Sequence, residues 1–351
     1  MSAVDSVPPA ARVSVVVPVY AGGDDFRRCL ASLAALDPPA DEVVVVVDGG
    51  GADDVAAATA AGFRVLQTAR RGGPGRARNQ GVAAATGDVV LFLDADVTAH
   101  TDAVDRVRDT FRRHPGIAAV IGSYDDEPGA TNFLSQYKNL VHHFTHQSAR
   151  AEAFTFWSGC GAVSRDVFLR HGGFDEAYDR PSIEDIELGY RLRAAGERIR
   201  LDTSLQVSHL KRWTPRSLIT TDVRQRALPW SALILRSGRL DNDLNVGLAG
   251  RAGVLLAGLL AVALPASLRS RGARPLALGA AGALVGVDWP LLSFLGRHRG
   301  PAFAATAALW QWLYHLYSGV AFAVALVRHV AAGRGPAAST AASPPPDESA
   351  P

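Results

Sequence analysis

The sequence predicts an α/β domain built on a mostly parallel sheet, followed by a carboxyl-terminal helical membrane region. Three observations carry this. Strand-length apolar runs alternate with segments of helical period from residue 13 to residue 209. One of those runs, Val89 to Leu93, stops at two carboxylates, Asp94 and Asp96. Long apolar segments then fill the chain from Ala252 to Val327.

Taken in order, Val13 to Val19 is a first buried strand, and Phe26, Leu30, Leu33 and Leu36 recur behind it at helical spacing. Glu42 to Val47 is a second strand with Asp48 at its carboxyl end, and an alanine-rich helix follows from Ala52 to Ala61. Phe63 to Leu66 is a shorter third strand, after which Gly72-Gly73-Pro74-Gly75 turns the chain into a helix from near Arg76 to about Ala85. Val89 to Leu93 is apolar throughout, as a strand covered on both faces must be. Short connections between alternating strands and helices argue for right-handed βαβ units.

Next come an amphipathic helix from Thr101 to Arg113, a strand at Ile117 to Gly122 and a helix from about Asn132 to Gln147. Phe156-Trp157 feeds a Gly159-Cys160-Gly161 segment and a short strand, and Gly172 to Glu176 is a turn. A helix opens at Glu184-Asp185, where acids suit the positive end of the dipole. Arg198 to Leu201 and Ser204 to His209 read as two short strands.

The acids after the central strand are the chemical focus. Side chains alternate along an extended chain, so Asp94 and Asp96 leave on the same side. Two carboxylates so close repel unless a positive group sits beside them, and the carboxyl end of a central parallel strand is where open α/β sheets bind ligands. A divalent cation carrying a diphosphate fits there. The glycine-rich stretches point elsewhere: Gly49-Gly50-Gly51 lacks the spacing of a dinucleotide fingerprint, and Gly72 to Gly75 lacks the Lys-Ser/Thr of a P-loop. His142, His143 and His146 have helical spacing for metal ligation but no accompanying acid, so a polar helix face accounts for them.

With these pieces in line the sequence resembles the family 2 glycosyltransferases, whose nucleotide-sugar domain has the GT-A fold. The resemblance runs through Val15 to Tyr20, Asp48, Gly75 to Asn79, Asp94-Ala95-Asp96, Gly159 to Gly161, Gly173 to Glu176, Glu184-Asp185 and His209 to Trp213. What it implies is a domain over 12–215 that binds a nucleotide-sugar donor with Mg²⁺ or Mn²⁺. Asp48 would accept from the base ring, Asp94 would hold the ribose or the metal shell, and Asp96 and His209 would bind the cation. Pro18, Tyr20, Arg76, Arg78, Asn79, Gly159 and Lys211 are implied in donor binding. Asp185 is the implied general base with Glu184 orienting it, and Trp157 offers an apolar face for the acceptor sugar. The loop Asp48-Gly49-Gly50 departs from the usual pattern, which leaves uridine and guanosine both open.

The rest of the chain has a membrane character. From Leu205 to Arg334 there are fifteen Lys/Arg against four Asp/Glu, against a net charge of +2 for all 351 residues. Residues 216–245 combine Leu, Ile and Trp with Arg224, Arg226, Arg236 and Arg239, as a basic amphipathic stretch on an anionic membrane does. Residues 246–330 hold two or three spans, Asp288 interrupts the second apolar segment and His315 the third, and Gln225 to Trp230 lacks the Gln-x-x-Arg-Trp spacing of polymer synthases. Residues 1–11 and the Ala/Ser/Pro-rich 331–351 read as flexible. No signal peptide is legible, and two distant cysteines, Cys29 and Cys160, suit a reducing compartment. The expectation is an inverting transferase on the cytosolic side of the cytoplasmic membrane, acting on a lipid or lipid-linked acceptor, with no nucleic-acid partner. Its alternatives are a polyprenyl-phosphate glycosyl synthase and a nucleotide-binding membrane subunit without turnover.

Overall fold

The structure, a computed structural model, describes residues 11–239 and 247–333. The expectations for 1–10, 240–246 and 334–351 lie outside the described residues. A sheet ordered β3-β2-β1-β4-β8-β6-β9-β5 forms the centre: β1 Val13–Val19, β2 Glu42–Val47, β3 Arg64–Gln67, β4 Val89–Leu93, β5 Val97–Ala99, β6 Ala119–Tyr124, β8 Cys160–Ser164 and β9 Ile199–His209. The two-residue β7, Glu152–Ala153, adds to β9.

The first four strands in sheet order pair in parallel, as their uninterrupted valine runs predict. Beyond β4 the sheet becomes mixed. β8 runs antiparallel to both β4 and β6, because the chain between β4 and β8 does not return by a single helix. The two short strands expected at 198–209 are one strand, with a register shift against β6 between Ile121 and Ser123 that absorbs the bend.

Helices cover both faces. Val13, Val15, Val17 and Leu91 pack with Phe26 and Leu30 of α1 (Gly23–Ala34) and Val107 and Phe111 of α4 (Ala103–Arg113). Val16, Val44, Phe92 and Val163 pack on the other face against Ala77 and Val82 of α3 (Pro74–Ala84), Phe168 of α6 (Arg165–Arg170) and Leu188 of α7 (Glu184–Ala194). α2 is Ala52–Ala60, and α5 is Phe133–Gln147.

After β9 a continuous helical stretch comprises α8 (Pro215–Thr220), a π-helical turn (Thr221–Ala227) and α9 (Leu228–Ser237). Part of its apolar surface packs on protein: Leu218 is buried with Leu134 and Trp213. Three long helices follow, α10 (Leu248–Arg269), α11 (Arg274–Arg299) and α12 (Pro301–Ala331). All three are long and apolar enough to cross a membrane, against the two or three spans expected. At 1.5 Å per residue even α10 reaches ~33 Å, against a hydrocarbon core of about 30 Å. Leu255, Val262, Leu278, Leu309 and Val327 stand exposed on their outer surfaces. The turn between α11 and α12 docks on the α/β domain, where Arg299 donates to the Asp126 carbonyl at 2.8 Å and to Gln136 at 2.7 Å.

Candidate active site

The strands β1 and β4 run side by side and end together, so Pro18 to Tyr20 and Asp94 to Asp96 open into one cavity of about 960 Å³. The parallel register does this. Its walls also carry Asp48, Arg78, Trp157, Glu184, Asp185 and Lys211.

Arg78 is the organising cation. It reaches from α3 to Asp94 at 2.6 Å and to Glu184 at 3.1 Å, with only 4 % of its surface exposed. Burial pushes the Glu184 carboxyl above its ordinary value and the Asp185 charge adds to this, while Arg78 opposes both. Asp185 is half-buried, and one of its oxygens accepts from the Ser158 amide at 3.0 Å and hydroxyl at 3.1 Å. Its other oxygen caps its own helix at the Ile186 amide.

Asp96 lines the same cavity. Burial alone would raise its carboxyl, but the nearby His209 and the charge of Lys211 outweigh it and hold the group well below the carboxylate range. His209 Nε2 is 3.8 Å and Lys211 Nζ 3.7 Å from the same oxygen. The His209 ring is buried and stacked on Tyr124, centroids 4.4 Å apart and planes 10° apart. Among the described residues no group of three or more His, Cys, Asp or Glu could hold a metal. Asp96 and His209 nonetheless suit a hard cation that takes its remaining ligands from diphosphate oxygens and water, the way Mg²⁺ is commonly held with few protein ligands.

Other expected residues are placed differently. Arg76 points to the exposed Glu176, 3.7 Å away, and Asn79 is used up on the Phe174 backbone and Glu176; neither lines the cavity. Gly159 is likewise outside its lining, and its reason to be glycine is the indole of Trp157, 2.7 Å from where a Cβ would stand. Asp48 lines the cavity, but its oxygens accept from the amides of Gly72 and Gly73, each at 2.8 Å, and from Thr68. It ties the glycine loop to β2. Gly73 itself has φ +90, and a Cβ there would meet the Asp179 carbonyl at 2.7 Å. We expect Asp48→Ala to cost about 1–3 kcal/mol, because buried amides lose their acceptor; a lowered denaturation midpoint would register it.

Three residues that sequence reasoning missed also line the cavity: Arg71, whose guanidinium lies 3.9 Å over the Tyr20 ring, and Lys138 and Arg226. Only Arg226 had a sequence signal, as part of the basic stretch.

Trp157 sits among rings, 4.9 Å from Tyr124 and 4.5 Å from His142. Two of the three histidines of α5 serve structure: His143 and His146 bond the carbonyls of Tyr124 and Gly122 at 2.7 and 2.8 Å, while His142 lines the cavity. Burial pushes the His146 imidazole down from 6.5 to about 4. The folded state therefore binds fewer protons than the unfolded one in that interval, and stability falls as pH drops from about 6.5 to about 4. Unfolding titrations of His146→Gln should lose up to one proton's worth of that acid slope. Neither thiol is a nucleophile: Cys29 and Cys160 are free and buried, and burial pushes Cys29 up to about 12.

A parallel half-sheet joined to a mixed one, with an Asp-Ala-Asp turn and an acidic helix start on one cavity, is the arrangement of the GT-A fold. Residues 14–172 match the family model "Glycosyl transferase family 2". A curated relative, the pre-mycofactocin glycosyltransferase of Mycobacterium tuberculosis, is 29% identical over 205 residues, 56% of this chain and 42% of that protein. The chain thus spans less than half the length of the curated relatives it matches. Among solved structures, the mannosyltransferase PcManGT from Pyrobaculum calidifontis, in complex with GDP-Man and Mn²⁺, superposes with a TM-score of 0.55 over 91% of this chain and 90% of that one, at 18% identity.

Proposed function

We propose that the protein is an inverting, cation-dependent glycosyltransferase, anchored in the cytoplasmic membrane with its α/β domain in the cytosol, moving a sugar from a nucleotide diphosphate sugar to a lipid or lipid-linked acceptor. The observation that carries this is the single cavity that joins Asp96, Arg78 and Asp185 to the membrane helices. Asp96 and His209 would hold Mg²⁺ or Mn²⁺, which when bound neutralises the leaving diphosphate. Tyr20 and Arg71 face the entrance as a stack for the donor's base, Asp94 is fixed by Arg78 toward the ribose, and Lys211 balances phosphate charge.

Asp185 takes the proton of an acceptor hydroxyl as the new C1–O bond forms; the old C1–O bond to phosphate breaks and its electron pair leaves with the nucleoside diphosphate. Ser158 holds that carboxylate in one orientation. Asp185→Asn should therefore keep donor binding and lose transfer by at least about 100-fold, measured with radiolabelled donor; unchanged turnover would remove Asp185 from the role of base.

For orientation, Arg236, Arg239, Arg251, Arg297 and Arg299 lie toward the domain end, against Arg269, Arg271, Arg274 and Arg328 toward the far end. The count is near even, so the reading of a cytosolic domain rests on nucleotide-sugar donors being made in the cytosol. The test is transfer by the detergent-solubilised full chain from a UDP- and GDP-sugar panel with Mn²⁺ to a bacterial lipid extract. A labelled lipid lost on adding EDTA is the expected result; donor binding without any transfer would favour a non-catalytic subunit. The name of the curated relative supplies a second acceptor for the same assay, pre-mycofactocin.

A further inference from the structure

The cavity does not end at the donor cleft. It continues between α5, the π-helical turn and the membrane helices as far as Asp288 and His315. Its 960 Å³ stands at the top of the range for small-molecule pockets, about 300–1,000 Å³, so a second ligand has room. Polar groups among apolar helices are costly to keep, and here they are linked. His315, 3% exposed, lies 3.2 Å from both oxygens of Asp288 and 3.4 Å from the amide nitrogen of Gln311. Gln311 accepts from the Tyr137 hydroxyl, and Asp222 accepts from Lys138 at 2.7 and 3.0 Å and from Tyr317 at 2.7 Å. Gly253 admits the imidazole: a Cβ there would stand 2.4 Å from the ring.

We infer that this inner chamber, with Asp222, Asp288, Gln311 and Tyr314 on its walls, binds the uncharged, hydroxyl-bearing headgroup of an amphiphilic acceptor. The inference rests on the glycosyltransferase reading. Charge decides the class. Around Asp222 the charge is balanced by Lys138, 2.7 Å away, and by Arg226 of the same wall, whereas the inner end holds the Asp288 carboxylate beside His315 and no Lys or Arg among the lining residues of α10, α11 and α12, so an incoming phosphate would meet negative charge there. Carboxylate, amide and phenol groups instead accept from and donate to hydroxyls. Val287, Pro290 and Leu291 of α11 line the same end and suit an alkyl chain. Asp185, on the wall between chamber and donor cleft, has a proton to take only from a hydroxyl acceptor.

The test uses the full chain in phosphatidylcholine nanodiscs and octyl β-D-glucoside carrying a diazirine in its alkyl chain. Photolabel should map by mass spectrometry to peptides around Asp288 and His315. Excess octyl glucoside should reduce it at least tenfold, and farnesyl phosphate should not. Gln311→Leu should reduce it about fivefold, the value of one hydrogen bond; because that change strands Tyr137, Tyr314→Phe is the second variant, with a similar loss expected. Competition by farnesyl phosphate alone would assign the chamber to a lipid phosphate and overturn the inference. Label confined to the outer surfaces near Leu278 and Leu309, unmoved by either competitor, would overturn it too. Calorimetry of UDP and GDP with Mn²⁺ on the same sample separates the two readings. Nucleotide binding without competed labelling rejects the chamber; competed labelling without nucleotide binding keeps the chamber and rejects the donor site on which the glycosyltransferase reading stands.

Discussion

Asp96→Ala should abolish Mn²⁺-dependent binding of the nucleoside diphosphate and lower transfer by at least about 100-fold. The carboxyl is held ionised in a half-buried position by His209 and Lys211, so it offers a full negative charge to a hard cation at neutral pH. Alanine leaves Lys211 to meet the diphosphate alone, which preserves some metal-independent affinity. Calorimetry with and without Mn²⁺ reads the difference directly: wild type should lose affinity when EDTA is added, and the variant should not change. An Asp96→Ala protein that still gains affinity from Mn²⁺ would show that the cation is held elsewhere.

Arg78→Met should cost about 3–5 kcal/mol of stability, the size expected when one partner of a buried ion pair is removed. Glu184 is 4% exposed and would be left as an uncompensated charge; Asp94, with a side chain 32% exposed, would be partly rescued by water and contributes less. The double variant Arg78→Met/Glu184→Leu should recover most of the loss, since replacing both charges by apolar groups is close to neutral. Thermal unfolding of the two variants beside wild type gives the coupling. If the single variant were as stable as wild type, Arg78 would not be the keystone of the cleft.

How much of this was legible in the chain depends on the kind of signal. Strands β1, β2 and β4 were plain because a strand covered on both faces has to be apolar at every position, and Val13 to Val19 is buried along its whole length. The Asp94 and Asp96 pair was legible for the same reason, as the place where such a run stops. The antiparallel entry of β8 was not, because strand direction leaves no mark on five residues reading Cys-Gly-Ala-Val-Ser. Arg76 and Arg78 were read as equals. Two residues apart on a helix they diverge by about 200°, so only one could reach the cleft. Arg71, Lys138, Asp288 and His315 were scattered over the chain, and what brings them to one cavity is the docking of α11 and α12 on α5, which no local pattern encodes.

The order of elements along the chain also sets an order in time. Every strand of the sheet is complete by His209, and the first apolar helix begins only at Leu248. Domains formed early in the chain generally fold as units during synthesis. The donor side of the cleft, from Pro18 to Lys211, can therefore be assembled before any of α10, α11 or α12 has been made. Asp288, Gln311 and His315 arrive last, so the inner end of the cavity is closed by insertion of the helices, and a chain truncated after Ser237 should present a donor cleft that opens to solvent on that side.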